Sequence, residues 1–457
     1  MSGQQTSATD HILALIAVPR PLPPEWAQLA GREFADTVAV LIAGSAEPVV
    51  ASVAATIDET GGSARSLATG AAMSGRSAAL LDGTAAHALD YDDVDEAVIA
   101  HPSAVLVPAL LTAGVARDVS GADLATAYRV GVRVDRLLAA AIGIRDHYDA
   151  GWHSTSTIGT IGTAAAIASL WDLPSEQCRH AIGIAGSLAA GSRQNFGTMT
   201  KPLHAGIAAS NGLLAAQLAS RGLTSDTDVI DGHLGFLRLH GADAPLVDLS
   251  TISTDHPALN VKLFPCCYYA HRAAEAALES STGTAIADIV GVEVVVQPGG
   301  LAPLIHHRPQ DGVQAKFSME YVVAAALIDR RIERSTFEDD RVRLSDVQRL
   351  LERVSLRESP TPPVGPVHPG EAFAVVTVRR GDGTSTVVRV DRPVGHALRP
   401  LTDEQLRHKF DDCTASADPE ATHEAYQALR ELVLQTSTRT LVEKIGRMSA
   451  SRSEENV

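Results

Sequence analysis

The 457-residue sequence is poor in aromatics, in cysteine and in positive charge. Aromatic side chains are 4% of it, so a core has to rest on Ala, Val, Leu and Ile. Ala-rich runs at residues 163–168 and 324–327 favour closely packed helices, because Ala is the best helix former and keeps helix faces thin. The four cysteines, Cys178, Cys266, Cys267 and Cys413, form no CxxC pair. That excludes a disulfide framework and the standard zinc spacings, and it points to a reducing cytoplasm. Net charge is −16, from 38 Lys and Arg against 54 Asp and Glu, which excludes the broad cationic face of a nucleic-acid binder. Any anion site must therefore be local, with Lys or Arg gathered in a pocket. The apolar run at residues 12–18 is too short to span a membrane, and residues 1–10 lack the basic region of a signal peptide. There is no Walker loop and no GxSxG elbow, and GIAGSLAAG at 183–191 follows no clear strand, so a dinucleotide-binding fold is a poor fit.

What is present is a long helical pattern with an interruption. The length exceeds one ordinary core and predicts two domains. From about residue 25 to residue 235 the sequence reads as successive helices, with apolar residues at three and four through 124–142 and a start signal at Ser120. Near residue 259 the character changes. Residues 289–297 are β-branched and strand-like, and residues 373–380 and 385–390 flank a GDGT hairpin turn. Residues 316–331 read as a helix between them, and the Pro-rich stretches 360–369 and 392–400 as loops. Helical character returns at 401, with a capping box at 402–405 and helices over 404–410 and 419–435. The polar tail, 449–457, is expected to fray. The fold class is mainly α with an inserted α+β domain: a helical domain over 1–265 and 400–457, and the insertion over 266–399.

Five segments mix titratable residues with Gly and small residues. LDGTAAHALDYDDVDEAVIAHPS gathers Asp90, Asp92, Asp93, Asp95 and Glu96 before His101; alone it is also what a solvated acidic loop looks like. YDAGWHSTSTIGTIGT places His153 among hydroxyls and glycines, where backbone N–H groups can approach an anion. In NFGTMTKPLHAG, Lys201 and His204 are three apart and share a helical face. KLFPCCYYAHR carries Lys262 and His271, with Cys266 and Cys267 read as buried small hydrophobes rather than nucleophiles. KFSMEY ends in Tyr321, a residue type that usually packs.

Taken in order, DGTAAHALDYDD, HPSAVLVPALL, GWHSTSTIGTIGTAAA, NFGTMTKPLHAG, KLFPCCYYAH and AKFSMEYVVAAAL resemble the MmgE/PrpD family over most of the chain. The family includes 2-methylcitrate dehydratases, cis-aconitate decarboxylases and an iminodisuccinate epimerase. The resemblance implies a large all-helical domain, a smaller α+β lid domain, a cleft between them and a homodimer. It implies no metal or organic cofactor, and a small anionic polycarboxylate as substrate, with no nucleic acid or membrane partner. Carried over residue by residue, it puts His101, His153, Lys201 and Tyr148 in the catalytic set. Asp90, Lys262, His271 and Tyr321 fall in the substrate-binding set.

Each family reaction has to manage charge beside a carboxylate, which Lys residues neutralise and His residues serve as acid and base. His153 is the expected base or acid, with His101 as its counterpart. Asp90 would orient a His, and Tyr148 or Tyr321 would donate a proton. Departures rank the reactions. Val94 stands where decarboxylases carry Thr, and Cys267 stands where animal decarboxylases carry His. Residues 99–104 read IAHPSA rather than the WGHPSDN of the dehydratases proper. Dehydration like that of 2-methylcitrate ranks first, epimerisation of an iminodisuccinate-like diacid second and decarboxylation behind both; outside enzymes, a polycarboxylate-binding protein is the alternative.

Overall fold

A computed structural model describes residues 7–17, 22–59, 61–241, 248–283, 285–368 and 371–450, apart from the side chains of 449 and 450. The expected fraying of the tail therefore lies outside the described residues from 451 onward, as do residues 1–6. The chain divides into two compact units. One comprises Met1–Gln194, Thr200–Val261 and Thr402–Val457, the other Asn195–Met199 and Lys262–Leu401.

The first unit is helical. At its centre lies Ser154–Leu170, every residue of which is buried. A helix of Ser, Thr, Gly and Ala tolerates this because its hydroxyls bond back to its own turns. Thr160 Oγ1 donates to the Ser156 carbonyl at 2.6 Å and Thr157 Oγ1 to that of His153 at 3.3 Å. Thr200–Ser220, Gly121–Ile142, Pro102–Arg117 and Ser175–Leu188 pack around it. Gly75–Ala88 lies against Thr200–Ser220 almost backbone to backbone: a Cβ on Gly206 would sit 2.1 Å from the Leu80 carbonyl oxygen. That approach carries the end of one helix, with His87, to the start of the other, with Lys201.

Several expected helix starts are in place. Ser120 and Asp123 form a reciprocal capping box, as do Thr402 and Gln405. The helical run from 25 to 235 is not continuous, however. Ala64–Arg65 and Ala72–Met73 form a small antiparallel pair, and residues 90–101 and 221–235 are non-helical. In the second of these stretches Asp226 bonds the backbone N–H of Asp228 at 2.8 Å, a local bond that competes with helix. The helix expected over 419–435 ends at Arg430, and a single 3-10 turn, Leu432–Leu434, follows.

The second unit holds a four-stranded mixed sheet in the order Val354–Glu358, Ile289–Val296, Ala374–Arg380, Ser385–Val390. The first pair is parallel and the other two antiparallel. Gly383, at φ +85°, makes the hairpin turn. The helices His271–Ser281 and Met319–Asp329 pack together and against the sheet. Met319–Asp329 is shorter than the 316–331 expected, because Ser318 caps it and Arg330 turns left-handed at φ +55°. The architecture is thus mainly α with a small mixed-sheet unit. All four cysteines are buried thiols. Among the described residues no single helix is long and apolar enough to cross a membrane.

Candidate active site

The site in the first unit grows from the loop that follows Gly75–Ala88. Asp90 adopts φ +52°, a left-handed conformation that Asp tolerates better than most residues. The following carboxylates then part company. Asp90 and Asp92 meet basic side chains, Asp93 accepts from Ser103 Oγ at 2.7 Å, and Asp95 accepts from Arg136 Nε at 2.6 Å. Bridging hydrogen bonds of 2.8 and 2.9 Å between Val94 and Asn260 pin the loop's far end.

Lys201 Nζ lies 2.6 Å from Asp90 Oδ1 and 2.7 Å from His87 Nε2. His87 Nδ1 faces both oxygens of Asp92 at 2.9 Å. An ammonium only donates and a carboxylate only accepts, so the His87 ring carries its hydrogen on Nδ1 and is neutral. Burial drives this imidazole down to about 3, against the pull of Asp92. Burial also works against ionisation of Asp92, but His87 and His101 more than offset it and hold the carboxyl well below its usual range. The row runs Asp92, His87, Lys201, Asp90, with opposite partners alternating.

His101 Nδ1 lies 2.8 Å from the Asp93 carbonyl and 3.2 Å from Asp92 Oδ2. Both are acceptors, so Nδ1 carries a hydrogen, and Nε2 lies 4.0 Å from Asp90 Oδ1. The ring centroids of His87 and His101 are 4.4 Å apart, and those of His87 and His153 6.2 Å. His153 caps Ser154–Leu170, its own N–H bonded to the Gly191 carbonyl at 3.1 Å. Its Nδ1 meets His204 Nδ1 at 3.0 Å. Burial, then the charge of Lys201, holds His153 well below the ordinary imidazole range; the same two causes bring His204 to about 4. Tyr148 is buried nearby in sequence, with the Arg193 guanidinium 3.4 Å above its ring centroid.

Asp90, His101, His153 and Lys201 thus come together. Three partners were not among the residues carried over: His87, Asp92 and His204. His87 and Asp92 stand inside the DGTAAHALDYDD motif, three before and two after Asp90. His204 stands three after Lys201, and that spacing was its signal.

Lys262, His271 and Tyr321 belong to the second unit. Lys262 is fully buried. His271 Nε2 faces the Cys266 carbonyl at 3.3 Å, and its ring lies against Phe264 and Tyr268. Tyr321 is fully buried, donates its hydroxyl to the Thr336 carbonyl and is pushed up by burial.

His87, Asp90, Asp92 and His101 each offer a ligand atom, all within 4.8 Å of one another, a grouping with the chemistry to hold a cation. The Lys201 ammonium already bonds two of the four, so the protein supplies a positive charge of its own there.

The profile of the MmgE/PrpD N-terminal domain matches residues 17–247, and that of the MmgE/PrpD C-terminal domain matches residues 264–435. The chain belongs to the MmgE/PrpD family. Among MmgE/PrpD relatives, the cis-aconitate decarboxylase of Mus musculus is 31% identical over 358 residues, covering 73% of this chain and 70% of the relative. That of Homo sapiens is 32% identical over 348 residues, covering 73% and 71%. A cis-aconitate decarboxylase of Aspergillus terreus is 25% identical over 396 residues, covering 79% of each.

Proposed function

We propose that this chain is an MmgE/PrpD lyase that works by acid–base chemistry at carbon beside a carboxylate of a small polycarboxylate. The observation that carries the reading is the pairing of two imidazoles, His101 and His153, with one ammonium, Lys201, in a buried cluster. Buried charge is weakly screened, so Lys201 can stabilise the dianionic enediolate that forms next to a carboxylate. The neutral His153 can serve as the base, and His101, beside the Asp90 and Asp92 carboxylates, as the acid when its Nε2 carries a proton.

The comparisons reorder the three reactions ranked from sequence. Decarboxylation of a cis-aconitate-like tricarboxylate moves from last to first, on the relatives named above. In that reaction the bond from carbon to one carboxylate breaks and CO₂ leaves. The electron pair passes into an allylic carbanion delocalised onto a neighbouring carboxylate, and one imidazolium proton quenches it at carbon. Dehydration stays as the second reading on Val94 and Cys267. There a carbon-bound proton goes to a neutral imidazole, and the hydroxyl leaves as water with a proton from the second ring, which enters the step as an imidazolium. The weight of Val94 is reduced by its backbone role, since both its N–H and its carbonyl bond Asn260, a contact open to any side chain. A reducing cytoplasmic setting fits four buried thiols, and a homodimer follows from the family resemblance.

Proton NMR of cis-aconitate, citrate-like hydroxy acids and aspartate-derived diacids incubated in D₂O separates the outcomes. CO₂ release with one deuteron placed on carbon supports decarboxylation. A new alkene without CO₂ supports dehydration, and deuterium exchange alone supports epimerisation. His153→Ala and Lys201→Ala should each lower turnover ~10²-fold or more with the fold intact. Near-wild-type rates in both would remove the site assignment.

A further inference from the structure

His153 and His204 present Nδ1 to Nδ1 at 3.0 Å, with relative exposures of 1% and 6%. Two bare nitrogens at that distance make no bond and two N–H groups collide, so the pair holds a single hydrogen between them. The backbone that carries the two rings is held in place. The N–H of His153 is fixed to Gly191, its carbonyl receives the N–H groups of Ser156 and Thr157, and the carbonyl of His204 receives Ser156 Oγ at 3.3 Å. The other bases of the cluster lean on stronger acceptors: His87 on the Asp92 carboxylate and His101 on the Asp93 carbonyl as well as on Asp92. His153 has a second imidazole in that place.

We propose that His204 is the positioning residue for His153, accepting the His153 Nδ1 hydrogen on its own bare Nδ1 and so leaving His153 Nε2 with the lone pair that takes a proton. The proposal rests on the reading of His153 as an acid–base group. Its balance is simple. A proton arriving on Nε2 makes an imidazolium whose Nδ1–H still needs an acceptor, and His204 Nδ1 is that acceptor. Were the hydrogen on His204 instead, His153 would already carry Nε2–H and would have its lone pair turned away. The groups around His153 are Lys201 and His204 from Thr200–Ser220, His87 from Gly75–Ala88, and His101 before Pro102–Arg117, with Asp90 and Asp92 as counter-charges. Lys201, His204, His87 and His101 all oppose a charged His153 when they carry charge themselves, so His204 has to stay neutral to act as its acceptor.

The test uses the full-length protein labelled with ¹⁵N-histidine, with the His153 signal assigned by His153→Gln. In the unaltered protein near pH 7, His153 should show Nδ1–H and bare Nε2; the reverse tautomer overturns the proposal with no variant needed. In His204→Leu the tautomer should switch to Nε2–H. There kcat/KM should fall ~10²-fold, and its acid limb should move to lower pH because the imidazolium has lost its acceptor. His204→Asn, whose amide oxygen can accept the same hydrogen, should keep the tautomer and stay within about tenfold of the unaltered rate. A tautomer that switches in His204→Leu while turnover stays unchanged overturns the positioning role. The tautomer measurement needs no substrate. A switched tautomer together with an active His153→Ala would therefore sink the acid–base reading of His153, separately from the His153–His204 pairing.

Discussion

Two buried clusters share the loop at residues 90–95. In one, Asp90 and Asp92 meet Lys201, His87 and His101. In the other, Asp93 lies near Glu33 and Asp36 of Pro24–Gly44, with Lys409 of Asp403–Cys413 paired to Asp36 at 2.7 Å. Both are out of water, yet they settle their charge in opposite ways. The first alternates partners, and in it Asp92 is held ionised and His87 neutral. The second has more carboxyls than cations, and burial with mutual repulsion pushes Glu33 and Asp93 well above the carboxylate range. Neighbouring charge makes the difference: Asp92 is flanked by the His87 and His101 rings, whereas Asp93 accepts from the neutral Ser103 and has further carboxyls nearby. The first arrangement holds the residues proposed for the chemistry, and the second is proposed as their scaffold.

The largest expected effect comes from cutting the link between them. Lys409 Nζ pairs with Asp36 and donates 2.8 Å to the carbonyl of Tyr91, between Asp90 and Asp92. Lys409→Met leaves a fully buried carboxyl without its cation and frees the loop that holds both site aspartates. A loss of about 3–5 kcal/mol in urea unfolding is expected, with Asp36→Leu/Lys409→Met recovering most of it. If the single variant unfolds like the unaltered protein, Lys409 does not tie the clusters together.

How much of this was legible in the sequence depends on the range of the interaction. Local signals carried well: the caps at Ser120 and Thr402 and the turn at 381–384 need only neighbours. The strand Val354–Glu358 was missed because it is short and mostly unburied, so it exists by pairing with Ile289–Val296 rather than by its own pattern. The same holds for the site. Asp90, His101, His153 and Lys201 stood out through motifs, but nothing in one segment says that His204 faces His153. Nor does anything near Tyr91 point to a lysine 318 residues away. Such pairings are set by helix packing, as at Gly206, and become visible only with the fold.

A middle-sized effect sharpens the first cluster. His87→Gln loses bonds to Asp92 and Lys201, both charged, and should cost about 1.5–3 kcal/mol at pH 7. The cost should depend on pH. In the fold His87 titrates at about 3, while in the unfolded chain it binds a proton below about 6.5. The unaltered protein therefore loses stability as pH falls from about 6.5 toward 3, by up to about 1.4 kcal/mol per unit from this group. The gap between variant and unaltered protein should narrow on acidification, as urea unfolding at pH 7 and pH 5 would show. A gap that stays constant would mean that His87 does not fold as a neutral ring.

Glu33→Gln should be the mildest of the three, and its pH dependence should have the opposite sign. Glu33 is fully buried, and burial first, then the Asp93 charge, keeps its proton on. Gln has nearly the shape of a protonated Glu and the same charge. Near pH 5, where an unfolded Glu is still partly protonated, the two proteins should differ by less than about 1 kcal/mol. Above that the unfolded Glu33 ionises while the folded one does not, so the folded state binds more protons and the unaltered protein loses stability as pH rises toward the folded value. Gln has no such slope. Its advantage should therefore grow between pH 5 and pH 7, where that of His87 over Gln also grows but with the unaltered side chain as the winner. Urea unfolding of both variants at the two pH values tests the contrast directly: an imidazole kept neutral by burial favours the native residue at higher pH, and a carboxyl kept neutral by burial favours its amide. If the difference at Glu33 is already several kcal/mol at pH 5 and flat to pH 7, the carboxyl folds ionised, and the two clusters handle charge alike.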